Sequence, residues 1–337
     1  LQRQMCIRDR YKKGLKVLLV EKSAFLGGRA FSFKDNSTDE IIDNGQHVIA
    51  VGVFDGVHRG HQMLLQKMLS EASRRGITGG VITFYPHPIA VIKPEIKISY
   101  LESLERRVEL LSEFGVDFVS VLQFTSELQQ VTAKDFAAML VREAGLKVLV
   151  VGENFRVGRG GEGDVTYLSS LGDSMGFEVI PVPLFEDNSG YFSSTRIREA
   201  LYEGKMEVVN DLLGRPYALR GPVLHGDHRG RQIGFPTLNI ETSADRQLPP
   251  DGVYITEALI RDKKIPSCTN IGLRPTFGSN GTRLVETHLL DFDEDLYGEI
   301  VTIELLSHLR PEMKFTGVEE LTQQIEIDLT KTRAWFV

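Results

Sequence analysis

Cysteine is nearly absent: Cys6 and Cys268 are the two in 337 residues, far apart and without metal-ligand spacing. That excludes a disulfide framework and a thiolate metal site, and it fits a reducing compartment. Long hydrophobic runs are missing too. No apolar stretch approaches the roughly 20 residues of a membrane span, and Lys16–Val20 is too short for the apolar core of a signal peptide. Positive charge is in deficit: the formal net charge is −7, whereas a general nucleic-acid binder needs a basic surface for its phosphate contacts. A nucleotide enzyme needs only a local positive patch and stays open. What is present, 42% hydrophobic and 25% charged residues, is the composition of a globular protein long enough for two domains, each with its own core. The expectation is a cytoplasmic protein with no nucleic-acid or membrane partner, acting as a monomer or weak homo-oligomer.

Residues 1–46 read differently from the rest. K-V-L-L-V-E at Lys16–Glu21 is a short buried-strand pattern, and the glycine turn Gly27, Gly28, Arg29 follows. With D-N-G-Q-H at Asp43–His47, this stretch resembles the second strand of the dinucleotide fold in FAD-dependent desaturases and amine oxidases. The resemblance implies that Glu21 would hold an adenosine ribose. The glycine fingerprint that should precede it by about 20 residues is missing, and without that turn the fragment has no anchor for a pyrophosphate. We therefore expect a foreign segment, joined by fusion or misassembly near His47–Ala50. The expected divisions are residues 1–47, 48–212 and 213–337, and the sheet of the second division is expected to be complete from Val48.

From Val48 strands and helices alternate. Apolar runs at Val48–Phe54, Gly80–Phe84, Phe118–Leu122, Val148–Val151 and Phe177–Val182 read as strands. Helical periodicity covers Gln62–Arg75, the Leu101–Leu111 region and Ala133–Glu143, the last opened by a capping pair, Thr132 and Asp135. Ser194 is placed to cap a helix ending near Gly204. Such alternation predicts a Rossmann-like α/β domain with a parallel sheet covered on both faces. After Pro216 the text becomes short extended runs at Tyr217–Val223, Val253–Ile260, Ile265–Ile271, Leu284–Leu290 and Glu299–Leu306, separated by turn residues such as Gly278–Gly281. These predict an antiparallel β-barrel. A closing helix from about Val318 places Val318, Leu321, Ile325 and Leu329 on one face.

Two stretches carry chemistry. Gly52–His61, G-V-F-D-G-V-H-R-G-H, follows a strand and opens a helix, which is where ligands bind in an open parallel sheet. Free amides at a helix start suit phosphate oxygens, and His58 and His61 flank Gly60, ready to donate to a phosphoryl group gaining charge. A lone histidine is more often structural; two around a glycine at a strand end are hard to explain as packing. Gly158–Gly163 reads either as a mobile lid or as a plain loop. In the second half, L-H-G-D-H-R-G-R-Q-I-G-F-P-T-L-N spans Leu224–Asn239, and Gly226, Gly230 and Gly234 would let backbone approach phosphate beside Arg229 or Arg231. In V-E-T-H-L-L-D-F, strand alternation puts Glu286, His288 and Leu290 on one face and Val285, Thr287 and Leu289 on the other.

Together with T-F-Y-P-H-P at Thr83–Pro88, V-G-E-N-F at Val151–Phe155 and F-S-S-T-R-I-R at Phe192–Arg198, the histidine turn resembles the bacterial bifunctional riboflavin kinase/FMN adenylyltransferases, also called FAD synthetases. The resemblance covers roughly residues 48–337, with several long motifs in the expected order. It implies ATP as co-substrate, riboflavin and FMN as substrates, and Mg²⁺. In the first half it implies that His58 and His61 contact ATP phosphates within the Gly52, Phe54 and Gly60 turn, that Asn154 lies near the nucleotide, and that Ser194, Thr195 and Arg198 grip the triphosphate. For the serines the bland alternative is a helix cap, and Arg196 is read as a surface charge. His87 is assigned to the flavin side of that site. In the second half the resemblance makes Glu286 the general base for the flavin 5′-hydroxyl, and Thr237 and Asn239, otherwise turn residues, ligands for Mg²⁺, which prefers hard oxygen donors. The stretches Asn270–Gly278 and Arg310–Phe315 are expected as scaffold and flavin surround.

Three other readings explain less. Another enzyme with the same histidine turn, such as a cytidylyltransferase or a pantetheine-phosphate adenylyltransferase, leaves Pro216–Asp295 without a purpose. A non-catalytic flavin-binding regulator predicts loss of His61 or Glu286, and both are present. An oxidoreductase rests on residues 1–46 alone and lacks the glycine turn.

Overall fold

The computed structural model describes residues 16–20, 45–226, 230, 233–273 and 283–337. Cys6, Glu21, Gly27–Arg29, Arg229, Arg231 and residues 274–282 lie outside the described residues. Six strands form the first sheet: β1 (Lys16–Val20), β2 (His47–Val51), β3 (Thr78–Tyr85), β4 (Phe118–Gln123), β5 (Leu146–Gly152) and β6 (Glu178–Val182), in the order β1-β4-β3-β2-β5-β6. Every neighbour is parallel, so all carboxyl ends share one edge. Alternate residues supply two cores. Val48, Ala50 and Val81 pack with Leu65 and Met68 of helix Arg59–Arg75 and with Val108 and Leu111 of helix Leu104–Glu113. Ile49, Val51, Ile82 and Phe84 pack on the other face with Phe136 and Leu140 of helix Ala133–Glu143 and Leu168 and Leu171 of helix Val165–Met175.

The chain runs outward through β2, β3 and β4 with helices on one face, then returns to β5 and β6 with helices on the other. Parallel crossovers keep one hand, so a reversal of direction moves the helices to the opposite face. The reversal falls between β2 and β5, where a crevice opens at the carboxyl ends. Two expectations need correction here. The sheet is not complete from Val48, because Lys16–Val20 pairs in parallel with Phe118–Leu122 and takes the edge beside β4. The first strand stops at Val51 rather than Phe54, because Phe54 and Val57 adopt φ of 54° and 40°, and Gly56 one of 82°, which no strand allows. The glycine-rich stretch that sequence left open is a pinned turn: Val157 bridges Gly163, and Glu162 accepts the Ala133 amide at 2.9 Å. A ribbon of two short strands, β7 (Glu186–Asp187) and β8 (Gly190–Tyr191), ends this unit.

The second compact unit starts at Ser193, upstream of the expected boundary at 212. Its helices Ser194–Tyr202 and Met206–Leu213 lead into the barrel, where Asn210 donates to the Leu305 carbonyl at 2.9 Å and accepts the Tyr217 amide at 2.8 Å. Ser193, not Ser194, caps the first of them, its hydroxyl accepting from the Arg196 amide at 3.2 Å. The barrel strands are β9 (Tyr217–Leu224), β10 (Leu238–Ile240), β11 (Gly252–Ile260), β12 (Lys263–Leu273), β13 (Arg283–Leu289) and β14 (Ile300–Pro311). They close in the order β10-β13-β12-β11-β14-β9, all antiparallel. Inside, Thr256, Ser267, Thr269 and Thr287 are fully buried and bond to one another at 2.8–2.9 Å, so each hydroxyl has a partner and the polar interior carries no orphan there.

The closing helix Val318–Trp335 forms, with Leu321, Ile325 and Leu329 of its expected apolar face half-buried, but polar residues take the deepest places on it. Val318 is 61% exposed, and the buried residues are Asp328 and Thr332. The cause is Arg310 of β14, whose Nε donates to both Asp328 oxygens at 3.1 and 2.9 Å, with Nη2 at 2.8 Å. Gln324 adds a bond to the same carboxylate at 2.9 Å. An ion pair this well satisfied is tolerated in a buried place where a single charge is not. Cys268 lies in the same neighbourhood, its thiol pushed up to about 11 chiefly by burial, so it is a packing residue and not a nucleophile.

Two candidate active sites

Beyond β2 the chain makes a tight turn before helix Arg59–Arg75, and His58 is the N-cap of that helix. Its Nδ1 accepts from the His61 amide at 3.3 Å, which places the proton of the neutral ring on Nε2. The His58 and His61 rings stack with centroids 3.6 Å apart and planes 22° apart, and the Phe54 ring lies 5.1 Å from His61. Gly60 permits this stack. A Cβ there would stand 3.2 Å from the His58 ring and 3.2 Å from the Phe192 carbonyl oxygen. Gly52 leaves the strand with its amide on the Ile82 carbonyl at 3.1 Å. Burial first, then the charges of His58 and Arg107, hold the His61 imidazole well below its ordinary value, so the ring is neutral at neutral pH. Its Nδ1 is enclosed and has no hydrogen-bond partner among the described residues.

Neighbouring loops leave the same sheet edge. Asn154 follows β5, the neighbour of β2 across the reversal point, and is exposed. His87 follows β3 and caps the short helix Pro88–Ile92, its Nδ1 accepting from the Ile89 amide at 3.1 Å. Ser194, Thr195 and Arg198 are not among these loops: they open the first helix of the second unit. Sequence reading passed over Asp55 and Arg107, both buried beside the turn. Asp55 accepts the amides of Leu101 and Glu102 at 3.1 Å, and Arg107 donates to the carbonyls of Val53 and Phe84 at 3.0 and 3.3 Å. An aspartate between the phenylalanine and glycine of a turn was the available signal for Asp55; Arg107 gave none.

In the barrel, register brings the second site together. Glu286 of β13 pairs with Asn239 of β10 on one side and Asn270 of β12 on the other. Directly paired residues share a face, and this is the outer face, because Val285, Thr287 and Leu289 are buried inside. Thr237 stands just before β10, its hydroxyl beside Gly230, where a Cβ would lie 3.4 Å from Thr237 Oγ1. Gly226 backs the group: a Cβ there would lie 2.2 Å from Asn239 Nδ2. Gly234 sits in the loop before β10 at φ 89°. His288 is held by the Pro236 carbonyl at 2.8 Å, a structural tie for the loop carrying Thr237. Arg310, assigned to the flavin surround, is engaged with Asp328. A hydroxyl, an amide oxygen and a nearby carboxylate form an oxygen-only donor set, which fits Mg²⁺ alongside phosphates. No cluster of three His, Cys, Asp or Glu residues that would hold a metal by itself occurs among the described residues.

Comparisons with known proteins match the two halves of the chain separately. The family model for FAD synthetase matches residues 40–196, and that for riboflavin kinase matches residues 213–336. A bifunctional riboflavin kinase/FMN adenylyltransferase of Listeria monocytogenes is 38% identical over 301 residues, covering 89% of this chain and 95% of the relative. The Escherichia coli K12 protein of the same name is 38% identical over 292 residues, covering 86% and 92%. A crystal structure described as a macrolide-efflux protein from Streptococcus pneumoniae superposes with a TM-score of 0.79 at 32% identity, covering 86% of this chain and 95% of its own. Among the described residues no helix is long and apolar enough to cross a membrane, and the likeness to that structure is one of fold. With both halves matched, in order and over nearly the full length of the relatives, this chain belongs to the bifunctional riboflavin kinase/FMN adenylyltransferase family.

Proposed function

We propose that the barrel converts riboflavin and ATP to FMN and ADP with Glu286 as general base, and that the sheet unit converts FMN and ATP to FAD and diphosphate at the His58–His61 turn. The observation that supports the reading is that the histidine pair lies in the sheet unit while Glu286 and Asn239 pair in the barrel, each half being matched by its own family model, so one chain offers two sites for two different nucleophiles. The kinase nucleophile is the riboflavin 5′-hydroxyl, a poor nucleophile while protonated, so a carboxylate in reach of it is needed. Thr237 and Asn239 would hold Mg²⁺, which supplies neutralisation of the ATP phosphates when bound. FMN needs no such base. Its phosphate has a second pKa of about 6 and is already ionised at neutral pH. The sheet unit then has to align that phosphate with the α-phosphate of ATP and stabilise the charge that develops, which the His58 Nε2 proton, the His61 ring and the amides opening helix Arg59–Arg75 suit. The chain is read as a cytoplasmic monomer or weak homo-oligomer. Incubating it with riboflavin and MgATP and separating riboflavin, FMN and FAD by chromatography tests the whole reading. Absence of both products in a folded sample would sink it.

The role of the first residues has its own test. The histidine turn sits on β2, which lies inside the sheet, while β1 covers only the outer side of β4. A chain starting at Gln46 should therefore keep both activities and bind FAD as tightly as the full chain, with a lower melting temperature from the uncovered β4 edge. Loss of FAD synthesis in a truncated chain that stays folded would make residues 1–45 part of the function.

A further inference from the structure

Among the described residues Arg107 is the largest fully buried side chain, and the turn chemistry above does not use it. Its Nη1 donates to the Val53 carbonyl at 3.0 Å and to the Phe84 carbonyl at 3.3 Å, while Nε and Nη2 have no hydrogen-bond partner among the described residues. These carbonyls are special in the sheet. The β2–β3 ladder ends at Val51 and Ile82, with one more bond from the Gly52 amide. Past that point the strands part: Val53 enters the histidine turn and Phe84 enters Tyr85–Pro86–His87. Thr83 also donates its hydroxyl to the Val53 carbonyl at 2.9 Å. One guanidinium thus spans the two diverging strand ends just where ladder bonds stop.

We propose that Arg107 is a positioning residue for adenylyl transfer, a staple that fixes the His58–His61 turn and the Tyr85–His87 segment relative to each other. This rests on the sheet unit being the adenylyltransferase. The planar guanidinium suits such a task, because packing against its flat, buried head fixes the one Nη1 that reaches both acceptors, with little freedom left to lose. The helix carrying it is itself anchored: Ser103 caps it, and the Asp55 carboxylate holds the Leu101 and Glu102 amides just before it. The staple and the turn are therefore tied from both sides, Asp55 reaching out and Arg107 reaching in. A second consequence follows from charge. His61 faces the His58 ring, the Phe54 ring and the Arg107 cation. The cation is itself surrounded by the Asp55 and Glu102 carboxylates and the Tyr85 and Tyr100 phenols. Arg59, next to His58, is turned onto Phe185 and Phe192, its carbon 5.7 and 5.2 Å from those rings. Arg107 is accordingly the fixed cation behind the histidines, and it opposes protonation of His61.

The test uses the full chain with Arg107→Met and Arg107→Lys. Riboflavin phosphorylation reports folding of the second unit, thermal melting reports the first, and FAD formation from supplied FMN in the unsubstituted chain checks the underlying reading separately. Arg107→Met should lower kcat for FAD formation by about 10²-fold, the effect of roughly 1 Å of misplacement, with KM for ATP moving much less. Histidine ring NMR should show the His61 titration moving up toward its ordinary value. Arg107→Lys, which keeps the charge but not the planar head that fixes Nη1, should leave the His61 titration low and recover only part of kcat. If Arg107→Met does not fold, the lysine variant decides alone by its kcat. A folded variant of either kind with the original kcat overturns the proposal, and so does failure of both to fold, which would make Arg107 a folding residue.

Discussion

Replacing Glu286 with alanine should reduce FMN formation by about 10²–10⁴-fold, the usual contribution of a general base, while supplied FMN still becomes FAD at the original rate. The geometry behind this is the register of β13. Glu286 is held between Asn239 and Asn270 on the outer face of the barrel, and its neighbours Val285 and Thr287 are locked inside. The carboxylate therefore has a fixed origin on the same face as Asn239. A glutamine at the same position keeps the shape and one oxygen acceptor but has no basic site, so Glu286→Gln should lose nearly as much. Both variants should retain the fold, which the untouched FAD synthesis would report in the same tube. Phosphorylation of riboflavin at close to the original rate by either variant would mean that another group takes the proton, and the assigned base would be wrong.

The placement of Glu286 was legible because a strand's period of two leaves no freedom: once Val285 and Thr287 face inward, Glu286 and His288 face out. The parallel sheet was legible for a related reason, since strands buried on both faces are continuous apolar runs. The Thr132–Asp135 start of helix Ala133–Glu143 is borne out by the bond from the Asp135 amide to the Thr132 hydroxyl at 3.1 Å. What sequence missed depends on partners far away. β10 is three residues, Leu238–Ile240, too short to show alternation, and it exists because β9 and β13 flank it. Asp328 is buried on the packed face of the closing helix because Arg310 stands opposite it, which no periodicity within the helix reveals. The strand at Lys16–Val20 finds its partner about a hundred residues later. Arg107 sits in an amphipathic helix, where an arginine reads as a solvated charge, and its acceptors Val53 and Phe84 lie 54 and 23 residues away. Local pattern gives elements and turn chemistry; it does not say which polar side chain will meet an unpaired carbonyl.

His61→Ala should leave riboflavin converting to FMN and lower FAD formation by about 10²–10³-fold, the loss seen when one donor to a developing oxyanion is removed. The state of the ring gives this prediction a pH signature. Burial, His58 and Arg107 all disfavour the charged imidazole, so the working form is neutral. Raising the pH through about 6.5, the ordinary histidine value, should not slow adenylyl transfer; a donor that had to be imidazolium would lose rate there. The stability of the first unit carries the same sign. A histidine whose folded pKa lies below its unfolded one binds protons less readily in the folded state, so stability is intact above about 6.5 and declines as pH falls toward the folded value. In His61→Ala that part of the acid sensitivity should disappear, and the melting temperature should fall less between pH 7 and 5 than in the parent chain. FAD formation that drops as the pH rises from 6 to 7.5 in the parent, together with an unchanged acid slope in the variant, would show that His61 works as a cation, and the neutral-ring account of the site would have to be abandoned.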